Sequence, residues 1–425
     1  MLPSRAAGRA YDVVVVGLGL AGLVAGLAAA LAGARTLVVG KGFGSTHFRT
    51  GGIDVLGYAD GHHVRAPAEE LGAFRAAHPG HPYAVAGPRL GAALEMVRAM
   101  AAASGLELIG DLGTNRLVAT ATGTLRPSCL VPASMNAAWD GAHVLAVGFD
   151  SYRDFSAPFF AAGLPRAGAA LGMDLRVRPL TLDLPELRRR HLAGPELARL
   201  LDQPGFRALL ARELEPHVRG VTHVALPATL GLDRCAEAAQ DLERRLGVRA
   251  VEVPTLPPSI PGMRLARALE AGLRGAGARV QVGTAVRLRP RDGRVEWLEL
   301  ESAAHPQRFS VGAVVLATGG LLGGGLALEG PDRVVETVGA LPVELPAGGP
   351  EEWFSARFLE PGGHGYARMG VRVADHLRPL GEGGEPVASN LYAAGGLLAG
   401  AQRAVEKSAD GIACATGLMA GEEAA

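Results

Sequence analysis

At 425 residues with a formal net charge of zero, the chain has room for two or three domains. It carries none of the basic excess that nucleic acid or an anionic bilayer would attract. Its 60 glycines and 5% aromatic residues suit a small-residue α/β architecture better than a β-rich or fibrous one. Cys129, Cys235 and Cys414 lie far apart and form no CxxC pair. That argues against a disulfide framework, and against an iron–sulfur cluster held by this chain alone, and points to a reduced cytosolic setting.

The first informative stretch is YDVVVVGLGLAGLVAGLAAALAGARTLVVGK, ending at Lys41. Val13–Val16 is a short β-branched run of the kind that fills a buried parallel strand. Gly17, Gly19 and Gly22 follow as GxGxxG, then a small-residue helix to Ala32 and a second strand over Arg35–Val39. In that strand–turn–helix setting Gly17 makes the tight turn, Gly19 lets backbone approach a phosphate, and Gly22 lets helix lie on strand. The helix start, with Leu20 and Ala21, offers N–H groups to an anion. Val13 to Ala34 carries no charge and is long enough to cross a bilayer, and Arg5 and Arg9 precede it as in a secretory signal. The glycines and leading valines favour the buried reading, so a soluble chain with at most peripheral membrane contact is expected.

An acidic residue normally lies about 20 residues beyond such glycines, where it accepts ribose hydroxyls. Here the second strand ends Val39-Gly40-Lys41. Without that carboxylate, adenosine recognition is weakened and a ligand ending at one phosphate is favoured. Lys41 could meet a 2′-phosphate of NADP, though a solvated lysine is the plainer reading. Gly42–Tyr58 is a loop rich in glycine and hydroxyls, and Thr50, Gly51 and Gly52 are its best candidates to wrap a cofactor.

His78-Pro79 and His81-Pro82 bracket a turn. Gly91–Ser104 has helical spacing, Gly113–Pro132 is strand-like, and His143–Gly148 is a buried strand followed by a helix-like stretch to Ala170. Asp174–Leu182 alternates as a strand, Leu184–Arg219 is amphipathic and arginine-rich, and Val221–Pro227 and Arg234–Leu246 read as strand and helix. Thr255–Arg264, TLPPSIPGMR, is a proline-stiffened hinge before a helix over Leu265–Arg274 and a strand over Arg279–Val286. Arg294–Glu301 and Arg308–Ser310 suggest an antiparallel meander. Gly312–Gly320 is a second buried strand, ending at Thr318 and Gly319 where ligands of doubly wound sheets lie. The end reads as a strand through LYAAGG, with Gly395 and Gly396, then a helix opening near Asp410-Gly411. The expected fold is therefore α/β, Rossmann-like for FAD or NAD(P), with an inserted second α/β domain. Its parts are 1–125, 126–260 inserted, and 261–425.

The segments HFRTGGIDVL, GTLRPS, PTLPPSIPGMRL, VLATGGLLGGGL and NLYAAGGLLAGAQ resemble the B subunit of anaerobic glycerol-3-phosphate dehydrogenase. That family is itself similar to the fumarate reductase group of flavoproteins. The resemblance spans nearly the whole chain, and the proline-rich hinge is its most specific part. It implies a flavin subunit, assigned FMN with FAD as the alternative. Its partners would be a catalytic FAD subunit and an iron–sulfur subunit that anchors the complex at the inner face of the cell membrane. Glycerol 3-phosphate would be oxidised to dihydroxyacetone phosphate, with electrons passed to quinone.

Alcohol oxidation by flavin calls for a base and for cations on a substrate phosphate. His364, with Arg368 four residues on, and Arg264 after the hinge are the right types; Arg126, Arg403, His47 and Arg49 are further candidates. A structural or solvated role is the commoner outcome for each. No metal-ligand cluster, Ser–His–Asp order or P-loop occurs, so no metal is expected. Two other readings stay open: a free-standing flavin oxidoreductase on another hydroxy acid or dicarboxylate, and a non-catalytic Rossmann-like assembly subunit.

Overall fold

The structure, a computed structural model, describes residues 11–187, 192–301 and 306–425. Arg5 and Arg9 lie outside the described residues. The chain divides into two units: 1–45, 54–100 and 268–425 make the first, 46–53 and 101–267 the second.

In the first unit, β1 (Tyr11–Val16), α1 (Leu20–Leu31) and β2 (Thr36–Gly40) form the opening strand–turn–helix–strand. All the valines of β1 are fully or nearly buried, as a strand covered on both faces requires. β3 (Arg279–Val282), β2, β1 and β6 (Gln307–Leu316) lie side by side and parallel, with Val13 opposite both Thr36 and Ala313. β4 (Val286–Leu288) and β5 (Trp297–Leu300) add an antiparallel meander on β6. β7 (Leu391–Ala393) adds a parallel strand on the last turns of β6.

Two expected elements merge here. Arg308–Ser310 and the Gly312–Leu316 part of Gly312–Gly320 are one strand, β6, whose first half pairs with β5 and whose second half pairs with β1 and β7, and 317–320 form the turn after it. Gly312 sits mid-strand because a Cβ there would stand 2.5 Å from the Asp12 carbonyl oxygen. The close approach of two backbones is a recognised use of strand glycine.

The C-terminal helix α2 (Ala409–Ala424) lies on α1. Cβ atoms at Gly417 and Gly421 would stand 2.6 Å and 2.3 Å from the carbonyl oxygens of Ala21 and Ala25. The small residues of both helices thus serve close backbone approach. Nearby, the expected turn at His81-Pro82 is a short helix, Pro82–Ala86, because the His81 side chain caps it by accepting from the Tyr83 N–H at 3.1 Å.

The second unit holds a four-stranded parallel sheet in the order Arg176–Leu182, His143–Phe149, His223–Pro227, Arg249–Val253. Helices Ala157–Ala169 and Cys235–Leu246 serve as crossovers, and the core runs from Val144 and Phe160 to Leu226, Leu242 and Val251. The amphipathic stretch resolves into helices Gly194–Leu201 and Pro204–Leu214, while 188–191 lie outside the described residues.

The hinge is shorter than expected. Helix Ile260–Gly275 begins inside it, with Pro261 in the first turn, where a missing N–H costs nothing. Ser259 starts the helix by accepting from the Gly262 N–H at 3.2 Å. Arg264 is therefore a helix residue.

Candidate functional site

In the first unit the carboxyl ends of the parallel strands line up. The Gly17 N–H donates to the Val39 carbonyl at 2.7 Å, Ala317 N–H to Val16 at 2.8 Å, and Ala394 N–H to Leu316 at 2.8 Å. Three turns thereby meet at one edge: 17–22, 317–320 and 394–397. Their glycines are set by contact. Gly17 has φ +128°, and a Cβ there would stand 2.1 Å from the Ala317 carbonyl oxygen. At Gly22 it would meet the Gly17 carbonyl oxygen at 2.0 Å, at Gly395 the Ala21 Cβ at 2.6 Å, and at Gly320 the Gly396 oxygen at 3.0 Å. The Gly395 N–H is tied to α2 by the Thr416 hydroxyl at 2.8 Å.

Gly19 differs from its neighbours. It is the N-cap of α1, in extended conformation, and a Cβ there would meet nothing within 4 Å. No side chain caps α1 and no acid lies in its first turn. The first N–H groups of the helix, at Leu20, Ala21 and Gly22, and its positive dipole end thus carry no side-chain cap, beside the open space at Gly19. Thr318 has its backbone nitrogen beside Gly17, while its buried Oγ1 lies against Gly325 and has no hydrogen-bond partner among the described residues. An open glycine face and an uncapped helix start fit a phosphate-bearing group.

The loop leaving β2 turns back on this edge: at Gly44 a Cβ would stand 2.3 Å from the Gly19 nitrogen. Lys41 is exposed at the end of β2. Gly411, in the first turn of α2, takes a different neighbour. A Cβ there would stand 2.2 Å from the Tyr83 hydroxyl, which donates to the Val55 carbonyl at 2.6 Å. Thr50, Gly51 and Gly52 belong to the second unit. There Gly51, at φ +79°, leaves no room beside Pro261 (2.6 Å), and Gly52 packs 2.8 Å from the Leu130 oxygen.

Three of the ionisable candidates, Arg264, His364 and Arg403, take structural positions. Burial pushes the Glu252 carboxyl up, but Arg264 outweighs it, and Ser134 and the Leu230 N–H help hold the group below the ordinary range. Arg264 donates to Glu252 at 2.7 and 2.9 Å and to the Gly231 carbonyl at 2.9 Å. Cys235, beside the pair, has its thiol pushed up to about 12 by burial, and so is no nucleophile. His364 accepts from the Ser355 N–H at Nδ1 (3.0 Å), so Nε2 carries the proton facing the Phe358 carbonyl at 3.0 Å. Both ring nitrogens are engaged in a loop clasp. Arg368 is exposed, and Arg403 donates to the Ala367 carbonyl at 3.3 Å and to Leu398.

The sequence reading missed a buried network in the first unit. Glu406 accepts from His81 Nε2 at 3.2 Å, from the Ser408 hydroxyl at 2.6 Å and from the Gln402 N–H at 2.6 Å. Burial pushes its carboxyl up, but His81 and these other donors hold it lowered. His81 lies 325 residues from Glu406 in the chain, too far for spacing to signal the pair. Among the described residues no group of histidine, cysteine and acidic side chains could hold a metal ion.

A parallel sheet whose strand ends converge on an open glycine turn is the frame of a flavin- or dinucleotide-binding protein. Residues 12–412 match the family described as FAD binding domain, and the chain belongs to that flavin-dependent oxidoreductase family. More narrowly, it belongs to the B-subunit family of anaerobic glycerol-3-phosphate dehydrogenase. It is 32% identical to that protein of Pectobacterium atrosepticum, across 97% of this chain and 98% of the relative. A probable B subunit of the same kind from Halobacterium salinarum is 34% identical, across 97% of each. Among solved structures, a 3-ketosteroid dehydrogenase of Rhodococcus jostii aligns over 99% of this chain and 98% of its own, at 14% identity and TM-score 0.43.

The family description names FAD, so FMN as the primary cofactor finds no support. That expectation rested on the resemblance, which assigned FMN, and on Gly40-Lys41, an argument that counts side-chain acceptors alone. Backbone groups are acceptors too, and the structure brings the Gly44 backbone back to the glycine turn. No described helix is long and apolar enough to cross a membrane.

Proposed function

We propose that this chain is the flavin-bearing B subunit of a glycerol-3-phosphate dehydrogenase and holds FAD. The observation that carries the reading is the open, uncapped start of α1 at Gly19, in a chain matched end to end by B-subunit relatives. Gly17, Gly19, Leu20, Ala21 and Gly22 would hold the pyrophosphate, with Thr318, Gly319, Gly395 and Gly396 beside it and Lys41 at the rim. Bound flavin supplies a two-electron acceptor, the chemistry that oxidation of a secondary alcohol needs.

The chain's own residues then bind and orient, and of the candidates His364, Arg264 and Arg403 none is left as a general base. His364 is spent on its loop, Arg264 on Glu252, and Arg403 on two backbone carbonyls. That division suits a subunit that relays electrons for a catalytic partner. On this reading a catalytic FAD subunit takes hydride from glycerol 3-phosphate, giving dihydroxyacetone phosphate. An iron–sulfur subunit passes electrons to quinone and holds the complex at the inner face of the cell membrane.

The test is reduction of the bound flavin, followed by its absorbance near 450 nm. Glycerol 3-phosphate should bleach it only when the catalytic subunit is present. Bleaching of the isolated chain would instead make it a dehydrogenase in its own right.

A further inference from the structure

Among the exposed apolar side chains of the first unit, three are concentrated within one short loop. Phe354, Phe358 and Leu359 are 59%, 89% and 85% exposed. Water-facing phenylalanine and leucine at that density are costly for a surface that stays solvated.

The loop that carries them is built rigid. Trp353 is buried at its start. The Tyr366 N–H donates to the Trp353 carbonyl at 3.0 Å, and Gly363 N–H to Glu360 at 2.9 Å. Ser355 donates its N–H to His364 Nδ1 at 3.0 Å and its hydroxyl to Glu360 at 3.1 Å. The second His364 nitrogen holds the Phe358 carbonyl. Phe354 stacks on Tyr366 with ring centroids 5.1 Å apart. At Gly365 no Cβ would fit, with the Glu352 carbonyl oxygen 2.4 Å away. Such a clasp holds the backbone under Phe358 and Leu359 before anything binds, which lowers the entropic cost of association.

Charge selects the occupant. Within 351–360 Glu351, Glu352 and Glu360 stand against Arg357 alone. An anionic bilayer would repel that surface, and a second copy of this chain meeting it tip to tip would bring like charges together. A protein surface with an apolar pocket edged by lysine or arginine satisfies both features.

We propose that the Trp353–Tyr366 loop is the docking element by which this protein seats Phe358 and Leu359 in a basic-rimmed apolar pocket of another dehydrogenase subunit. The proposal rests on the reading of the chain as one subunit of a complex, given above. It gives His364 a positioning role: it holds the tip in shape and takes no part in the redox step.

The experiment co-expresses the full chain with the other subunits of the dehydrogenase and purifies it by a tag on this chain. Wild type should bring the partners down. F358S/L359S should recover at least tenfold less of them, with flavin content and melting temperature unchanged. E351K/E352K should also weaken recovery, through repulsion from the basic rim. H364N, whose side-chain oxygen can still accept from Ser355, should recover more than H364A. Recovery by F358S/L359S equal to wild type overturns the docking assignment and leaves the reading as part of a complex intact. A wild-type chain that never recovers its partners overturns that reading and the docking site with it. Tip-dependent flotation on phosphatidylserine vesicles, or a tip-dependent dimer in sedimentation, would overturn the assignment in favour of a bilayer or a second copy.

Discussion

Gly19→Asp separates cofactor binding from folding, because a side chain at Gly19 enters open space. The N-cap backbone is already extended, as aspartate prefers there, so the free protein should gain a few tenths of a kcal/mol in α1. The same carboxylate would stand where the site expects phosphate. Two unit charges 4 Å apart repel by about 4 kcal/mol at an effective dielectric near 20, and screening at a partly open site leaves roughly half of that. A loss of about 2 kcal/mol is roughly 30-fold in affinity. Calorimetric titration of the flavin-free protein with FAD, beside its melting curve, reads both effects. The expected result is an unchanged or slightly raised melting temperature with binding weakened at least tenfold. Unchanged affinity would refute the phosphate placement, and a melting temperature several degrees lower would refute the open space. Gly17→Ala should behave oppositely. Its left-handed φ of +128° and the Ala317 oxygen 2.1 Å away make it destabilise the free protein itself.

Glu252→Ala leaves Arg264 buried without its carboxylate and should cost about 3–5 kcal/mol in denaturant unfolding. Because Glu252 is held below its unfolded value of about 4.3, its contribution is full at neutral pH. It should fade as pH falls through the lower folded value, so wild type and variant converge in acid unfolding curves. Asp202 accepts from the N–H groups of Leu232, Asp233 and Arg234 (3.0, 3.3 and 2.9 Å), closing with its own carboxylate the anion nest that opens helix Cys235–Leu246. Asp202→Ala should destabilise by about 1–3 kcal/mol, read as a lower urea midpoint with an unchanged slope. Gly417→Val would drive a branched side chain into the Ala21 carbonyl, and should lower the melting temperature and flavin retention together.

The first unit was legible where chemistry is local. Val13–Val16, the glycine turn and the LYAAGG strand each state their geometry within a few residues, and the structure has them as β1, the α1 start and β7. What depended on distant partners was not legible. Gly312 looks like a strand start until Asp12 lies beside it. Arg264 looks like a free cation until Glu252 is folded against it. His364, in its glycine setting, has the residue type of a base, and only the positions of Ser355 and Phe358 show both nitrogens spent. Sequence spacing finds backbone turns well and finds the occupied state of a side chain poorly, because occupation is a tertiary fact.

The central claim is that this chain holds FAD. The most direct test is mass spectrometry of the small molecules released on denaturing protein purified in the dark. FAD near one per chain is the predicted result. FMN in its place would contradict the adenosine half of the assignment, and no flavin before or after reconstitution would contradict the claim itself.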